Sequence, residues 1–176
     1  MIQLHDKQFV PFIPAEEIET AITRMVRQAE DDHVGEVPVF IGVLNGAFMV
    51  VSDFMKRYSG PCEVSFVKLA SYEGTESTHD VKQLIGLGQN LTGRSVVIIE
   101  DIVDTGNTIV ELKKMFEGQG VKQLKIATLF FKPEAYTKDI KLDYIGFEIP
   151  NKFIVGYGLD YDGLGRNIPE IYQLHD

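Results

Sequence analysis

The chain has 176 residues, of which 44% are hydrophobic and 24% are charged, and its formal net charge is −9. This composition is typical of one folded globular domain and argues against a mainly disordered chain. The acidic balance argues against a protein whose main task is to grip nucleic acid, and no apolar run approaches the roughly 20 residues that cross a bilayer.

The first half of the chain alternates between helical and extended patterns. The N-terminal residues lack the pattern of a signal peptide and the single Cys62 has no disulfide partner, so we expect a cytoplasmic protein. Apolar residues at helical spacing and two early acids predict an amphipathic helix over 14–32. The apolar run 37–43 predicts a buried strand, which turns into a helix over 47–58 and is followed by a strand over 64–70.

The second half continues the alternation and then changes character. An apolar strand over 95–101 ends in two acids, and a helix over 108–117 leads to a strand over 124–131. This spacing predicts a βαβ unit and a mainly parallel sheet that is buried on both faces. Residues 144–176 instead predict short strands and glycine-rich turns. We therefore predict one α/β domain over 1–176, with a core over about 37–143 and a small cap formed by about 144–176, to which the family resemblance given below adds the N-terminal segment.

The turn after the strand over 95–101 carries the residues with the clearest chemistry. Ligands of parallel sheets bind beyond the carboxyl ends of the strands, where the next helix presents unpaired N–H groups. Gly106 permits close approach of an anion, and Thr105 and Thr108 add hydroxyl donors. A phosphate monoester therefore fits this turn. Glu100 and Asp101 suit the vicinal diol of a ribose, directly or through a divalent cation, and together the two halves predict a site for a ribose 5-phosphate.

A simpler interpretation of the same residues remains at this point. Glu100 and Asp101 could be solvated acids that end a strand, while Asp104 or Thr105 caps the next helix. The concentration of acids and hydroxyls in one strand-to-helix turn favours the binding site.

The stretch V-V-I-I-E-D-I-V-D-T-G-N-T over 96–108 resembles the phosphoribosyl pyrophosphate signature of the type I phosphoribosyltransferases, and specifically of the hypoxanthine-guanine group. The resemblance extends from about Val39 to Arg166. It implies a mainly parallel twisted sheet flanked by helices, with a hood formed from the termini. It also implies transfer of a 5-phosphoribosyl group from phosphoribosyl pyrophosphate to N9 of hypoxanthine or guanine, with Mg²⁺ and release of pyrophosphate.

The resemblance implies roles on the sugar and phosphate side of the reaction. Glu100 and Asp101 would hold the ribose hydroxyls. The 5-phosphate would lie against a continuous turn made of Asp104, Thr105, Gly106, Asn107 and Thr108. Asp104 would also accept the N7 proton of the purine as N9 attacks the anomeric carbon. We expect burial beside other acids to make Asp104 a stronger base than it is in water.

The resemblance also implies a pyrophosphate loop and a lid. Leu44, Asn45 and Gly46 match the loop, which in the family often has a non-proline cis peptide; many members have lysine where this chain has Asn45, so cationic help is lost there. Ser71 and Tyr72 match the start of a lid that excludes water from the reacting centre. The family commonly has glycine at the position of His79. An ordinary strand-to-helix turn and a solvated surface loop are the alternatives.

On the base side, the resemblance implies that Lys132 bonds to the purine 6-oxo group and thereby selects hypoxanthine and guanine over adenine. Phe153 would stack on the ring, and the backbone of Ile154 would read the base edge. Asp160 would lie beside the purine and bind a second Mg²⁺ through water, and Glu100 and Asp101 would be the other metal-binding residues. Without the resemblance, Lys132 is more typical of a surface residue and Phe153 of a core residue.

Arg166 would contact the departing pyrophosphate, whose charge Mg²⁺ and arginine are suited to stabilise.

The partners implied are small-molecule substrates, with no nucleic acid and no membrane, and the family suggests a homodimer or homotetramer. A transferase for another base such as xanthine is one alternative function. A nucleotide-sensing regulator that binds RNA or DNA is the other, against which the acidic balance argues.

Overall fold

The computed structural model describes residues 1–70, 82–85 and 88–175. Within those residues the chain forms three helices and ten strands. In chain order they are β1 (Ile2–Leu4), β2 (Lys7–Ile13), α1 (Ala15–Asp32), β3 (Val39–Leu44), α2 (Phe48–Arg57), β4 (Glu63–Ala70), β5 (Lys82–Ile85), β6 (Ser95–Val103), α3 (Asn107–Glu117), β7 (Gln123–Phe131), β8 (Tyr144–Glu148), β9 (Ile154–Val155) and β10 (Ile171–Leu174).

The larger sheet has six strands in the order β5-β4-β3-β6-β7-β8. Neighbouring strands from β4 to β8 are parallel, and β5 pairs antiparallel with β4. The prediction of a mainly parallel sheet is confirmed. Because the strands run the same way, the ends of β3, β6 and β7 lie at one edge of the sheet, where the turns that follow them meet.

Helices cover both faces of this sheet, which is why its central strands are continuous apolar runs. Successive residues of β3 enter opposite cores: Phe40 packs with α1 and α2, whereas Ile41 packs with α3. Phe54 from α2 and Phe116 from α3 are fully buried in these two cores. Each such aromatic side chain stabilises the fold by roughly 1.5–3 kcal/mol through its burial.

A second sheet forms the hood, with the strand order β1-β2-β10-β9 and antiparallel pairing throughout. It joins the two ends of the described chain, as the predicted cap from the termini requires. The predicted boundary at residue 144 is wrong, because β8 is the edge strand of the larger sheet and pairs with β7. Gly146 makes this pairing close: a β-carbon there would lie 2.5 Å from the Leu129 carbonyl oxygen. The hood therefore begins after residue 148.

No helix in the described part of the chain combines the length and the apolar character that a membrane-spanning segment needs.

Candidate functional site

The turn between β6 and α3 presents a helix N-terminus at the carboxyl edge of the sheet. Gly106 is the N-cap residue, with φ 85° and ψ 8°, and no side chain caps the helix. The first N–H groups of a helix have no partner within it, and they carry the positive end of the helix dipole. Thr105, Asn107 and Thr108 are exposed around these groups. The turn is therefore open to solvent and has the donors that an anion binds.

Gly106 has two features that exclude a side chain. Its positive φ is a conformation that side chains rarely adopt. In addition, a β-carbon at this position would lie 2.5 Å from Tyr136 Cε2 and 2.7 Å from Lys138 Cγ. The space on the β-carbon side of Gly106 is thus filled by side chains of the protein. The close approach of an anion to the Gly106 backbone stays a prediction.

Glu100 and Asp101 lie at the end of β6 in an environment that disfavours charge. Glu100 is 5% exposed, and burial together with the neighbouring Asp101 carboxylate raises its pKa well above the usual value. Burial also raises the pKa of Asp101 to about 6, although the N–H of Ile102 donates to its Oδ1 at 2.8 Å and opposes the shift. A ligand that brings hydrogen-bond donors or a cation would therefore stabilise the charged forms of both carboxyls.

The Leu44–Asn45 peptide bond is cis, as the resemblance implied for the predicted pyrophosphate loop. Leu44 is partly buried and Asn45 is exposed. Gly46 lies directly against Asp101: a β-carbon there would be 1.6 Å from Asp101 Oδ2. On the other side, a β-carbon on Gly158 would be 2.1 Å from the Gly46 carbonyl oxygen. The loop is therefore packed between the acid at the end of β6 and the turn after β9, without room for a side chain.

Asp160 and Arg166 form an ion pair on the hood side of this loop. Arg166 Nη2 lies 2.7 Å from Asp160 Oδ1, and Nη1 donates to the Gly158 carbonyl at 2.7 Å. The arginine lowers the pKa of the Asp101 carboxyl and the aspartate raises it, so both charges lie within electrostatic reach of Asp101. The structure thus brings Gly46, Asp101, Asp160 and Arg166 together.

Lys132 is buried, with 7% of its surface exposed, and its ammonium group lies between two other predicted site segments. Nζ is 3.0 Å from Asp104 Oδ2 and 3.5 Å from Asn151 Oδ1. The contact follows from strand pairing: β6 and β7 are parallel neighbours, and the N–H of Lys132 donates to the Val103 carbonyl at 3.0 Å. The interpretation of Lys132 as a surface residue is therefore wrong.

The same contact corrects the expected surroundings of Asp104. Its side chain is 46% exposed and its ion-pair partner is the Lys132 ammonium, so burial beside other acids is wrong. The physical reason is the position of each acid along the chain. Glu100 and Asp101 lie within β6, whereas Asp104 follows the end of β6 and contacts Lys132, which follows the end of β7.

Phe153 directly precedes the hood strand β9, which begins at Ile154. Ile154 is 5% exposed and pairs with Gln173, whereas Phe153 is 46% exposed. Phe153 is therefore a surface aromatic rather than a core residue. The two predicted lid residues, Ser71 and Tyr72, lie outside the described residues, as does His79.

The acids near the loop fit a magnesium ion that is shared with a ligand. Among the residues that the structure describes, no group of three or more His, Cys, Asp or Glu side chains is arranged as a metal site. Mg²⁺ ordinarily binds one or two protein carboxylates and fills its remaining positions with water and phosphate oxygens. The raised pKa values of Glu100 and Asp101 show carboxyls that a cation would stabilise in their charged form. Asp160 adds an acid within reach of Asp101.

Several residues of this region were not identified from the sequence. Tyr136 covers Gly106, and the hydroxyl of Tyr157 donates to Asp53 on α2, which ties the hood to the layer behind the pyrophosphate loop. Tyr161 contacts Phe153. For Tyr157 and Tyr161 the signal was the run of aromatic and glycine residues over 153–163, whose contacts depend on the folded hood, whereas Tyr136 lies outside that run.

We expect Asp101→Asn to stabilise the protein at neutral pH while it impairs ligand binding. A carboxyl whose pKa rises from 3.8 to about 6 on folding destabilises the fold above that pH, and this cost disappears as the pH falls towards 4. The neutral amide, which keeps an acceptor for Ile102, should raise the free energy of unfolding by roughly 2 kcal/mol at pH 7.5.

Urea melts at pH 7.5 and pH 4.5 without divalent cations measure this difference. The exposed Asp139→Asn, with the same change in charge, is the matched control. An equal gain in both variants, or a gain that does not shrink at pH 4.5, would contradict the explanation.

Comparison with known proteins agrees with this geometry. Residues 14–162 match the family model described as the phosphoribosyl transferase domain. A hypoxanthine-guanine phosphoribosyltransferase of Streptococcus thermophilus is 41% identical over 162 residues, which are 92% of this chain and 90% of that protein. The crystal structure of a hypoxanthine-guanine phosphoribosyltransferase from Bacillus anthracis superposes with a TM-score of 0.89 at 35% identity, covering 97% of this chain and 99% of the other.

A hypoxanthine phosphoribosyltransferase from Staphylococcus aureus gives the same TM-score of 0.89 at 36% identity, with 97% of this chain and 92% of the other covered. The family match spans the loop over 44–46, the turn over 100–108 and the hood turn up to Tyr161. The chain therefore belongs to the type I phosphoribosyltransferases, and within them to the hypoxanthine-guanine phosphoribosyltransferases.

Proposed function

We infer that the protein transfers the 5-phosphoribosyl group of phosphoribosyl pyrophosphate to N9 of hypoxanthine or guanine, giving IMP or GMP and pyrophosphate in purine salvage. The observation that carries this proposal is the Lys132–Asp104 ion pair beside the open N-terminus of α3. The Lys132 ammonium can donate a hydrogen bond to the purine, and the Asp104 carboxylate can accept a proton from it. Both groups lie next to a site that suits a sugar phosphate.

The donor would lie along the edge of the large sheet. The backbone N–H groups of α3 and the hydroxyls of Thr105 and Thr108 would hold the 5-phosphate, together with Asp104, Gly106 and Asn107. Glu100 and Asp101 would accept hydrogen bonds from the ribose hydroxyls. Their positions within β6 place them several residues before the helix, in keeping with the length of a ribose 5-phosphate.

The pyrophosphate would lie against Leu44, Asn45 and Gly46, with Arg166 beside it. Asn45 leaves residues 44–46 without a cation, and the guanidinium of Arg166 would supply positive charge beside the pyrophosphate. Glu100, Asp101 and Asp160 would hold Mg²⁺, which when bound neutralises charge on the leaving group. Asp160 and Arg166 pair with each other, and a cation and a pyrophosphate would offer each of them a further partner of opposite charge.

The base would lie between the sheet edge and the hood. Lys132 would donate to the 6-oxo group, and adenine would be rejected because its 6-amino group would leave the ammonium without an acceptor. Asp104 would take the N7 proton as N9 attacks. Phe153 would stack on the ring, and the Ile154 backbone would read its edge.

The chain would act as one domain over 1–176, with the sheet core and the hood each contributing half of the site. The substrates are small molecules, and we propose that the protein works as a homodimer or homotetramer in the cytoplasm. We also propose that Ser71 and Tyr72 belong to the lid that closes over the site.

Turnover tests the proposed function directly. Purified protein with phosphoribosyl pyrophosphate, Mg²⁺ and hypoxanthine should release pyrophosphate and form IMP, and guanine should give GMP. A panel with xanthine and adenine defines the base preference, for which we expect adenine to be inactive. Absence of product with hypoxanthine, guanine and xanthine alike would refute the proposal.

A further inference from the structure

We propose that Tyr161 is a positioning residue for the purine, which acts by holding the ring of Phe153 in its stacking orientation. The proposal rests on the proposed function, since it assigns Phe153 to the base. Phe153 is 46% exposed at the edge of the hood, and an exposed phenylalanine without a fixed neighbour samples several rotamers. Stacking on a planar base requires one of them.

The ring of Tyr161 supplies that neighbour. The centroids of Tyr161 and Phe153 are 5.9 Å apart and their planes meet at 84°, which is the edge-to-face arrangement that aromatic pairs prefer. Phe9, which is fully buried, contacts both rings, at 6.3 Å from Phe153 and 6.0 Å from Tyr161. Phe153 is therefore supported from within the hood, while almost half of its surface stays free for a ligand.

Tyr161 is itself fixed by the N-terminal hairpin of the hood. Its hydroxyl donates to Asp6 Oδ1 at 2.7 Å, and the ammonium of Lys7 lies 5.8 Å from the centre of its ring. The imidazole of His5 meets the same ring edge-on at 5.9 Å. Three consecutive residues, the two of the turn between β1 and β2 and the first of β2, thus contact one side chain.

The backbone of Tyr161 is equally constrained. Tyr161 and Leu164 exchange two backbone hydrogen bonds across a tight turn, in which Asp162 and Gly163 both have positive φ values of 46° and 85°. This is the geometry of a type I′ turn, which fixes the direction of the residues that flank it. Asp160 accepts from the N–H of Gly163 within the same turn. Two neighbouring residues therefore contact different parts of the site. Asp160 pairs with Arg166 on the pyrophosphate side, and Tyr161 contacts Phe153 on the base side.

A double-mutant cycle tests whether Tyr161 acts through Phe153. We expect Phe153→Leu to raise the KM for hypoxanthine about tenfold, through loss of stacking, and Tyr161→Leu to raise it about fivefold. If one side chain acts through the other, the double variant should stay near tenfold rather than reach the roughly 50-fold of independent effects. The KM for phosphoribosyl pyrophosphate and kcat should stay within about twofold in Tyr161→Leu.

Two milder variants guard against loss of folding. Asp6→Ala and Tyr161→Phe both remove the same hydrogen bond and keep the ring, so each should raise the KM for hypoxanthine by only about twofold. Calorimetric titration measures the Kd for IMP without depending on turnover. The Kd values of the variants should rise in the same order as their KM values for hypoxanthine. Tyr172→Leu, at a hood tyrosine that bonds to Glu170 instead, is the matched control and should leave these values unchanged.

The results separate the two proposals. Inactive wild-type protein would refute the proposed function. Active wild-type protein with an unchanged KM for hypoxanthine in Tyr161→Leu, or a double variant near 50-fold, would refute the positioning role alone. An equal rise in the base and donor KM values in Tyr161→Leu and Tyr172→Leu would show a general loosening of the hood, which also overturns it.

Discussion

Asp104→Asn should lower kcat by about 10²–10⁴-fold, the range for loss of a general base, and leave the KM for phosphoribosyl pyrophosphate within about threefold. Asparagine has the same shape and keeps a side-chain oxygen for the Lys132 ammonium, 3.0 Å from the present carboxylate. It does not accept the purine N7 proton. The donor should still bind, because the N–H groups of α3 that receive the phosphate belong to the backbone.

Initial rates with each substrate varied in turn separate the two effects. Asp139→Asn, an exposed change between Tyr136 and Ile140, is the control and should retain full turnover. If kcat and donor binding fall together in Asp104→Asn, then Asp104 holds the phosphate turn in place and another group accepts the proton.

Gly46→Ala should weaken donor binding by about 100-fold or more, since a displacement near 1 Å at a reacting centre has effects of this size. The added methyl group would lie 1.6 Å from Asp101 Oδ2 and 2.6 Å from Asp101 Cγ. The carboxylate cannot swing away freely, because Oδ1 is held by the N–H of Ile102. Either the ribose acid or the pyrophosphate loop must therefore move.

Equilibrium binding of phosphoribosyl pyrophosphate measures the loss, and a thermal melt shows whether the fold survives. Gly118→Ala is the matched control: Gly118 has φ −82°, and no atom lies within 4 Å of a β-carbon there. Wild-type affinity in Gly46→Ala would mean that the close packing of the loop on Asp101 is dispensable.

The central part of the fold follows from the sequence with little ambiguity. β3, β6 and β7 are apolar runs between helices of regular period, and such runs have few alternatives to a buried parallel sheet. No strand was predicted over 7–13, and this segment contains Pro11, which lacks a backbone donor. The structure accommodates Pro11 opposite Tyr172, beside a shift in register at Ile171 and Tyr172.

The site, like the fold, has a part that could be predicted from the sequence and a part that could not. The donor half lies in one continuous turn, so its residues could be identified together from their order along the chain. The contact between Lys132 and Asp104 depends on which strands are neighbours, and that pairing is a tertiary property. The prediction did not include this strand pairing, and it therefore placed Asp104 among acids. In the structure Asp104 lies beside the Lys132 ammonium. The support of Phe153 by Tyr161 and Phe9 likewise appears only after both ends of the chain have folded together.

The hood has a consequence for how a newly made chain acquires its function. β2 pairs with β10, so that Phe9 lies opposite Leu174, and the two strands are far apart along the chain. On the ribosome, the six-stranded sheet can form while β2 still has an open edge. Because β10 is the neighbour of both β2 and β9, the hood sheet that supports Phe153 is completed only after β10 has been made.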